Sequence, residues 1–379
     1  MDRDFTHQIT DRPDRSKPAP SNTPNKIYSV PIKCYKVTLN KQNCRLNRRS
    51  GNLQTMANPG ILEQIQAFLK GSGWVEGDLS VSFLAAGEYN ANYLVTSDGG
   101  RSVLRINHGS QLGLGNEQIA YEYRVLQALA ASGVTPKPLA CHPVPDPLGG
   151  GALLMGYLPG KALDYQRDLD RAAYIFSRVH TAAVPQGLVV QADPVMDIAR
   201  ESEGLLDRFS DHPLKKACKQ IRTYYDSVLT LADQTRTLFS GEALCLVNTE
   251  VNSGNFLIGE AGAFLVDWEK AVESCRYQDL GHFLVPTTTL WKSDTVLTAN
   301  DKKRFLRTYH QAACPEMDFE ELAVKTRVME KTILLRALSW CFMAWYEYTQ
   351  TDRPLQNPDT FSKIEQYLAD IPWILQSVA

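Results

Sequence analysis

Residues 243–268 read ALCLVNTEVNSGNFLIGEAGAFLVDW, and their patterning decides the fold. Leu244–Val247 is a short apolar run, Asn248–Asn255 is polar and turn-forming, and Phe256–Ile258 is apolar again. Gly259-Glu260-Ala261-Gly262 then has hairpin-turn chemistry ahead of the apolar Phe264–Val266. A hairpin closed at that turn pairs residues whose numbers sum to about 522, which sets Asn255 opposite Asp267 to within about a residue. Two oxygen-bearing side chains thus converge at the mouth of an apolar hairpin. That donor set suits a hard cation such as Mg²⁺, which keeps its remaining contacts to phosphate and water. Glu250, in the same loop, puts a carboxylate where it can accept or orient the proton of a substrate hydroxyl. Any one of these is an ordinary turn residue; the three together, in the register of one hairpin, point to a site.

Upstream, three alternating apolar runs (Val81–Ala85, Tyr93–Thr96, Val103–Asn107) are separated by Gly87-Glu88-Tyr89-Asn90 and Asp98-Gly99-Gly100, which predicts an antiparallel meander. Residues 116–132 have helical periodicity closed by Gly133, and two further strands follow, the second at Ala152–Tyr157. From Pro159 onward helical patterns dominate, including the long apolar segment Leu322–Tyr348, interrupted only by the 243–268 block. The expected organisation is a small sheet-bearing lobe at 58–158 and a larger, mainly helical lobe at 159–379.

The 379 residues suffice for two packed units. A net charge of −2 over the chain excludes no soluble class and implies neither nucleic acid nor an anionic membrane as partner. The average hides an asymmetry, because residues 1–57 carry 11 Lys/Arg against 4 Asp/Glu and the remainder is acidic. Five prolines among polar residues predict a disordered basic extension there, with Met56 a candidate translation start. The eight cysteines form no C-x-x-C pair, no apolar run approaches a bilayer span, and no signal-peptide hydrophobic region opens the chain, so a cytoplasmic protein is expected.

Asn248-Thr249-Glu250 followed by Asn255, and then Val266-Asp267-Trp268, resembles the H-G-D-x-x-x-x-N loop and the [IV]-D-[WF] strand end of the aminoglycoside phosphotransferase and choline kinase families. Asn255 and Asp267 match the metal-binding positions. Asn248 stands where those families usually have His, and Glu250 where they have the catalytic Asp. Asp279-Leu280-Gly281 is similar to the D-L-[AG] element that braces the family's catalytic loop. The resemblance implies an α+β, protein-kinase-like two-lobed fold that binds ATP and Mg²⁺ between its lobes and transfers the γ-phosphate to a hydroxyl of a small molecule. The two departures leave a second expectation open, a nucleotide-binding protein with weak or no transfer.

Further implications follow for the small lobe. Ile119, Glu122, Leu126 and Leu129 share one helical stripe, and a carboxylate on a core-facing stripe needs a charged partner. Arg105 is the only cation flanked by apolar residues on the third strand, and by resemblance it is the family's phosphate-holding cation paired with that glutamate. Gly87 and Asn90 fall in the turn that would cover the phosphates, and Met155, Gly156 and Leu158 in a segment resembling the hinge that holds the adenine edge. His180 reads as a packing or capping histidine. Trp340, Trp345, Tyr346 and Tyr348 read as core rather than as a cage for a quaternary ammonium, and Glu201, Glu203, Asp207 and Glu347 as a solvated acidic face. The acceptor itself carries no readable motif.

Overall fold

The computed structural model describes residues 59–87, 89–145, 147–351 and 358–378. The readings of residues 1–57 and of Glu88 lie outside the described residues. Helix α1 (Pro59–Gly71) precedes strands β1 (Leu79–Ala86), β2 (Asn90–Ser97) and β3 (Gly100–Asn107), helix α2 (Gln118–Leu129), and strands β4 (Pro138–His142) and β5 (Gly151–Gly156). The five strands form one antiparallel sheet in the order β1-β2-β3-β5-β4.

Period-2 alternation sorts this sheet into two faces. On β3, Leu104 and Ile106 join the cluster of Ile65, Leu69, Tyr93 and Val95 on the α1 side. Val103 joins Ile119, Leu126, Leu153 and Met155 in the other core. Arg105 shares the alternation of Val103 and is therefore carried on the α2 face. The long apolar stripe of α2 buries Ile119, Glu122, Leu126 and Leu129 as its periodicity requires.

Beyond β5 come α3 (Leu169–His180), β6 (Val190–Gln191), α4 (Pro194–Asp207), α5 (Lys215–Thr235), β7 (Leu244–Val247), β8 (Phe256–Gly259), β9 (Gly262–Leu265), β10 (Val272–Cys275), α6 (Tyr277–Leu284), α7 (Pro286–Thr289), α8 (Ala299–Ala313), α9 (Phe319–Gln350), α10 (Pro358–Ala369) and α11 (Ile371–Gln376). The β8–β9 hairpin pairs Phe256 with Leu265 and Gly259 with Gly262, one residue from the register that the sequence predicts. Gly262 holds φ at 144°, a conformation that side-chain-bearing residues rarely adopt.

One feature departs from the sequence reading. The 243–268 block is not the only strand-bearing part of this region, because β10 pairs antiparallel with β7 and parallel with β6 in a separate three-stranded sheet. Both added strands are short and half polar, so neither produces a readable alternation.

Among the described residues all cysteines are free, and no helix is long and apolar enough to cross a membrane. The chain is an α+β fold, with the five-stranded antiparallel sheet in its N-terminal part and helices dominating its C-terminal part.

Candidate active site

The loop between β7 and β8 is held from below by one carboxylate. Asp279, fully buried near the start of α6, accepts from the backbone N–H of Asn248 at 2.7 Å with Oδ2 and from that of Thr249 at 2.9 Å with Oδ1. Charge-assisted bonds of this kind are about twice as strong as neutral ones. Gly281, two residues on, lets α6 approach α9, since a Cβ there would stand 2.7 Å from the Glu330 backbone nitrogen. His180 ends α3 beside the same carboxylate, with Nε2 3.4 Å from Asp279 Oδ2 and Nδ1 2.9 Å from the Tyr309 hydroxyl. Burial lowers its pKa, in keeping with a packing role.

Asn248 ties the loop to the end of the hairpin. Its Nδ2 donates to the Asp267 carbonyl at 2.8 Å, while its Oδ1 accepts from the Glu250 N–H at 2.9 Å. Asn255 Nδ2 donates to the Glu250 carbonyl at 2.6 Å, and the Asn255 carbonyl accepts from the Val266 N–H at 2.8 Å. Glu250 is thus fixed by an amide on either side. Thr249 and Asp267 are the only non-glycine residues with positive φ among those described, both at 66°. Such backbone is disfavoured by about 1–3 kcal/mol and persists where surrounding bonds over-determine it. Here those bonds are the Asp279, Asn248 and Arg105 contacts.

Arg105 and Glu122 meet. Arg105 Nη1 donates to Glu122 Oε1 at 2.7 Å and to Asp267 Oδ1 at 2.9 Å, and its Nε donates to Asn92 Oδ1 at 3.1 Å. Burial alone would lower the guanidinium's pKa, but the charges of Glu122 and Asp267 outweigh it and the net shift is upward. Glu122 is pushed up by burial against the opposing pull of Arg105. One pair therefore links β3, α2 and the end of the hairpin.

Glu250, Asp267 and Glu269 bring carboxylate oxygens within 4.8 Å of one another. Glu269 has no place in the sequence reading: it lies in the turn beyond β9, and the left-handed backbone of Asp267 breaks the alternation that could have placed it. Its pKa is raised to about 8, first by burial and then by the charges of Asp267 and Glu250, with Arg105 opposing. Glu250 is raised by burial, with Lys270 opposing and Asp267 reinforcing. Three acidic oxygens under mutual repulsion in a half-buried cleft form a donor set that fits a hard divalent cation.

Asn90 does not lie on an open turn. It is buried, accepts from Asn107 Nδ2 at 2.8 Å and donates to Glu269 Oε2. Gly87 closes the β1–β2 turn by donating to the Asn90 carbonyl at 2.8 Å. Met155 and Gly156 end β5, where the Gly156 N–H is taken by the Lys137 carbonyl at 2.9 Å. Leu158 follows in the segment that runs on to the Lys161–Ile258 bridge against the hairpin.

A cavity of about 270 Å³ opens beside Glu250, lined among others by Lys270, His282, Trp291, Arg336 and Trp340. Of the four aromatic residues weighed in the sequence, Trp340 alone lines it. Trp345 packs on His212 at 5.5 Å, Tyr346 stacks on Phe209 at 4.1 Å, and Tyr348 meets Phe361 edge-on. Of the four acids, Glu201 alone lines the cavity, while Asp207 pairs with Arg222 and Glu347 with Arg208.

The sequence matches the profile of the Phosphotransferase enzyme family over residues 80–323, and the chain belongs to that family. Its fold is similar to an ethanolamine kinase of Plasmodium vivax, with a TM-score of 0.59 at 12% identity over 85% of this chain and 91% of that one. A choline/ethanolamine kinase family protein of Mesorhizobium loti aligns with a TM-score of 0.53 at 15% identity over 84% of this chain and 99% of that one. A spectinomycin phosphotransferase solved in complex with ADP and spectinomycin aligns with a TM-score of 0.53 at 13% identity, covering 83% and 98%. No protein of curated function matches.

Proposed function

We propose that the protein is an ATP- and Mg²⁺-dependent kinase acting on a hydroxyl of a small molecule. The observation that carries this reading is the convergence of the Glu250, Asp267 and Glu269 carboxylates within 4.8 Å, next to the Arg105–Glu122 pair and with Glu250 lining the cavity. Family membership and a similar structure that holds ADP support ATP as the donor.

Asp267 and Asn255, with Glu269 as a further donor, would hold the magnesium ion, which when bound neutralises charge on the phosphate oxygens. Arg105, kept cationic by its carboxylates, holds the inner phosphates. Gly87 and Asn90 shape the turn above them, and the backbone at Met155, Gly156 and Leu158 meets the adenine edge. Glu250 orients the acceptor. The acceptor oxygen bonds to the γ-phosphorus, the bond to the β–γ bridging oxygen breaks with ADP as leaving group, and the hydroxyl proton passes to the Glu250 carboxylate. A carboxylate with a raised pKa is the better base. Catalysis is otherwise positioning and charge neutralisation.

Purified protein is incubated with ATP, Mg²⁺ and a panel of hydroxyl compounds, and ADP release is compared with that of Glu250→Gln. Loss of about 10²–10⁴-fold in turnover at retained nucleotide affinity is expected. One observation favours the alternative of a nucleotide-binding protein without transfer. Lys270 Nζ lies 3.4 Å from Glu250 Oε1, on a carboxylate already set about 1 Å further out than the family's Asp by its extra methylene. Nucleotide binding with no turnover above that of Glu250→Gln decides for it.

A further inference from the structure

The cavity beside Glu250 has a buried cation that joins no ion pair among the described residues. Arg336 sits mid-way along α9 with 9% of its surface exposed and lines the cavity. Its Nη2 donates to the Thr249 carbonyl at 3.4 Å and lies 3.2 Å from His282 Nδ1. Since a guanidinium has donors and no acceptor, His282 Nδ1 is the acceptor and the imidazole is neutral. Burial, then the positive charges of Arg336 and Lys270, hold the His282 pKa well below its usual value.

Among the described residues Arg336 joins no ion pair. Glu250, on the β7–β8 loop, feels the charge of Arg336 but is engaged more closely by Lys270 at 3.4 Å, and Glu201, the cavity's other carboxylate, is exposed. A buried guanidinium without a carboxylate is unfavourable unless a ligand supplies one, and its planar fork matches a carboxylate or phosphate. An ammonium group in the same place would meet two like charges, Arg336 and Lys270. The cavity, at about 270 Å³, also falls just below the roughly 300–1,000 Å³ of pockets for drug-sized ligands, which favours a small acceptor.

We infer that the acceptor is a small alcohol bearing an anionic group, a carboxylate or a phosphate, which pairs with Arg336 while its hydroxyl lies at Glu250. This inference rests on the phosphotransferase reading above and names the class of its acceptor. Arg336 is then the residue that selects acceptors, and Lys270 keeps amines away from the loop.

The test measures binding of glycerate, 4-hydroxybutyrate, glycerol 3-phosphate, choline and ethanolamine to the full chain in the presence of Mg²⁺ and a non-hydrolysable ATP analogue, with ADP release from ATP as a second readout. At least one of the three anion-bearing alcohols is expected to bind, and to be turned over, about tenfold or more better than choline and ethanolamine. Glycerate against glycerol 3-phosphate tells carboxylate from phosphate. Arg336→Met should lose that preference by about tenfold or more while affinity for the analogue stays within about twofold. Arg336→Lys, which keeps the charge without the fork, should fall between, and it decides the matter together with the wild-type panel if the methionine variant does not fold.

Preference for choline or ethanolamine overturns the inference. So does rejection of every anionic alcohol by protein that binds the analogue, and so does a loss of analogue affinity in Arg336→Met as large as its loss of acceptor affinity. Failure of the wild type to bind the analogue at all removes the phosphotransferase reading itself, and this inference with it.

Discussion

Two buried arginines flank the β7–β8 loop, and their surroundings are opposite. Arg105, on the sheet side, meets Glu122 at 2.7 Å and Asp267 at 2.9 Å, with Glu269 close enough to the same group to add to its field. Arg336, on the helical side, meets a backbone carbonyl and a neutral imidazole. Around Arg105 carboxylates outnumber cations, so the site has surplus negative charge, a setting that suits a cation. Around Arg336 and Lys270 the balance runs the other way. The same residue type is closed off in one region by the chain's own acids and left open to an anion in the other. Glu250 stands at the border between the two.

The largest effect should come from the carboxylate side. Asp267→Asn removes one surplus negative charge and the partner of Arg105 at the hairpin end. Turnover is expected to fall about 10³-fold or more, with Mg²⁺ affinity falling alongside it and the acceptor preference unchanged. Kinetics at saturating ATP against a titration of Mg²⁺ check this. If acceptor preference moves as much as Mg²⁺ affinity, the two regions are not electrostatically separate and the comparison breaks.

A second, smaller effect follows from Glu269, whose pKa of about 8 lies above that of a free glutamate. A carboxyl group whose pKa is raised by folding stabilises the native state fully below its unfolded pKa, and that contribution is lost as pH rises through the folded value. In metal-free protein, stability should therefore drop between about pH 5 and pH 8 by up to about 1.4 kcal/mol per pH unit from this group. Glu269→Gln cannot ionise and keeps an oxygen for Asn90, so its stability should be flatter across that window. Denaturant melts at several pH values, with chelator present, compare the slopes. Equal slopes would mean that Glu269 carries its charge comfortably in the apo protein, and that the surplus negative field has been overstated.

The sheet-side region was far more legible in the sequence than the helical side, and the reason is periodicity. The Gly259–Gly262 turn sets the hairpin register to within a residue, and the stripe of α2 turns Glu122 inward to need a cation, which the family resemblance assigns to Arg105, the one cation flanked by apolar residues on β3. Glu269 went unread because the block appeared to end at Trp268. Lys270 depends on β10, whose pairing of Val272 with Val247 sets it beside Thr249, where the Thr249 hydroxyl donates to its carbonyl at 2.9 Å. Without that short strand no register could be drawn. Arg336 lies in Leu334-Leu335-Arg336-Ala337-Leu338, and a lone charge inside so apolar a run was the available signal. It was masked because a helix buried on most sides hides which face is wet. Asn248 looked like a departure from the family pattern, whereas its amide bridges Glu250 and Asp267, a role that only the folded loop reveals.

The smallest effect sharpens the helical side by contrasting two tryptophans of α9. Trp340 stands against Trp291, with ring centroids 6.0 Å apart and nearly perpendicular, and both line the cavity. Trp345 packs instead on His212, away from it. Trp340→Leu keeps an apolar wall but removes ring surface, so the acceptor KM should rise by about three- to tenfold while the KM for ATP holds. Trp345→Leu should leave both constants unchanged and lower the melting temperature by only a few degrees, as the loss of a half-buried aromatic contact does. Steady-state kinetics on the two variants side by side, with the best anionic alcohol as acceptor, read the difference. An equal rise in acceptor KM for both would mean that α9 shifts as a unit, and the face carrying Arg336 and Trp340 would lose its claim to be a separate recognition surface.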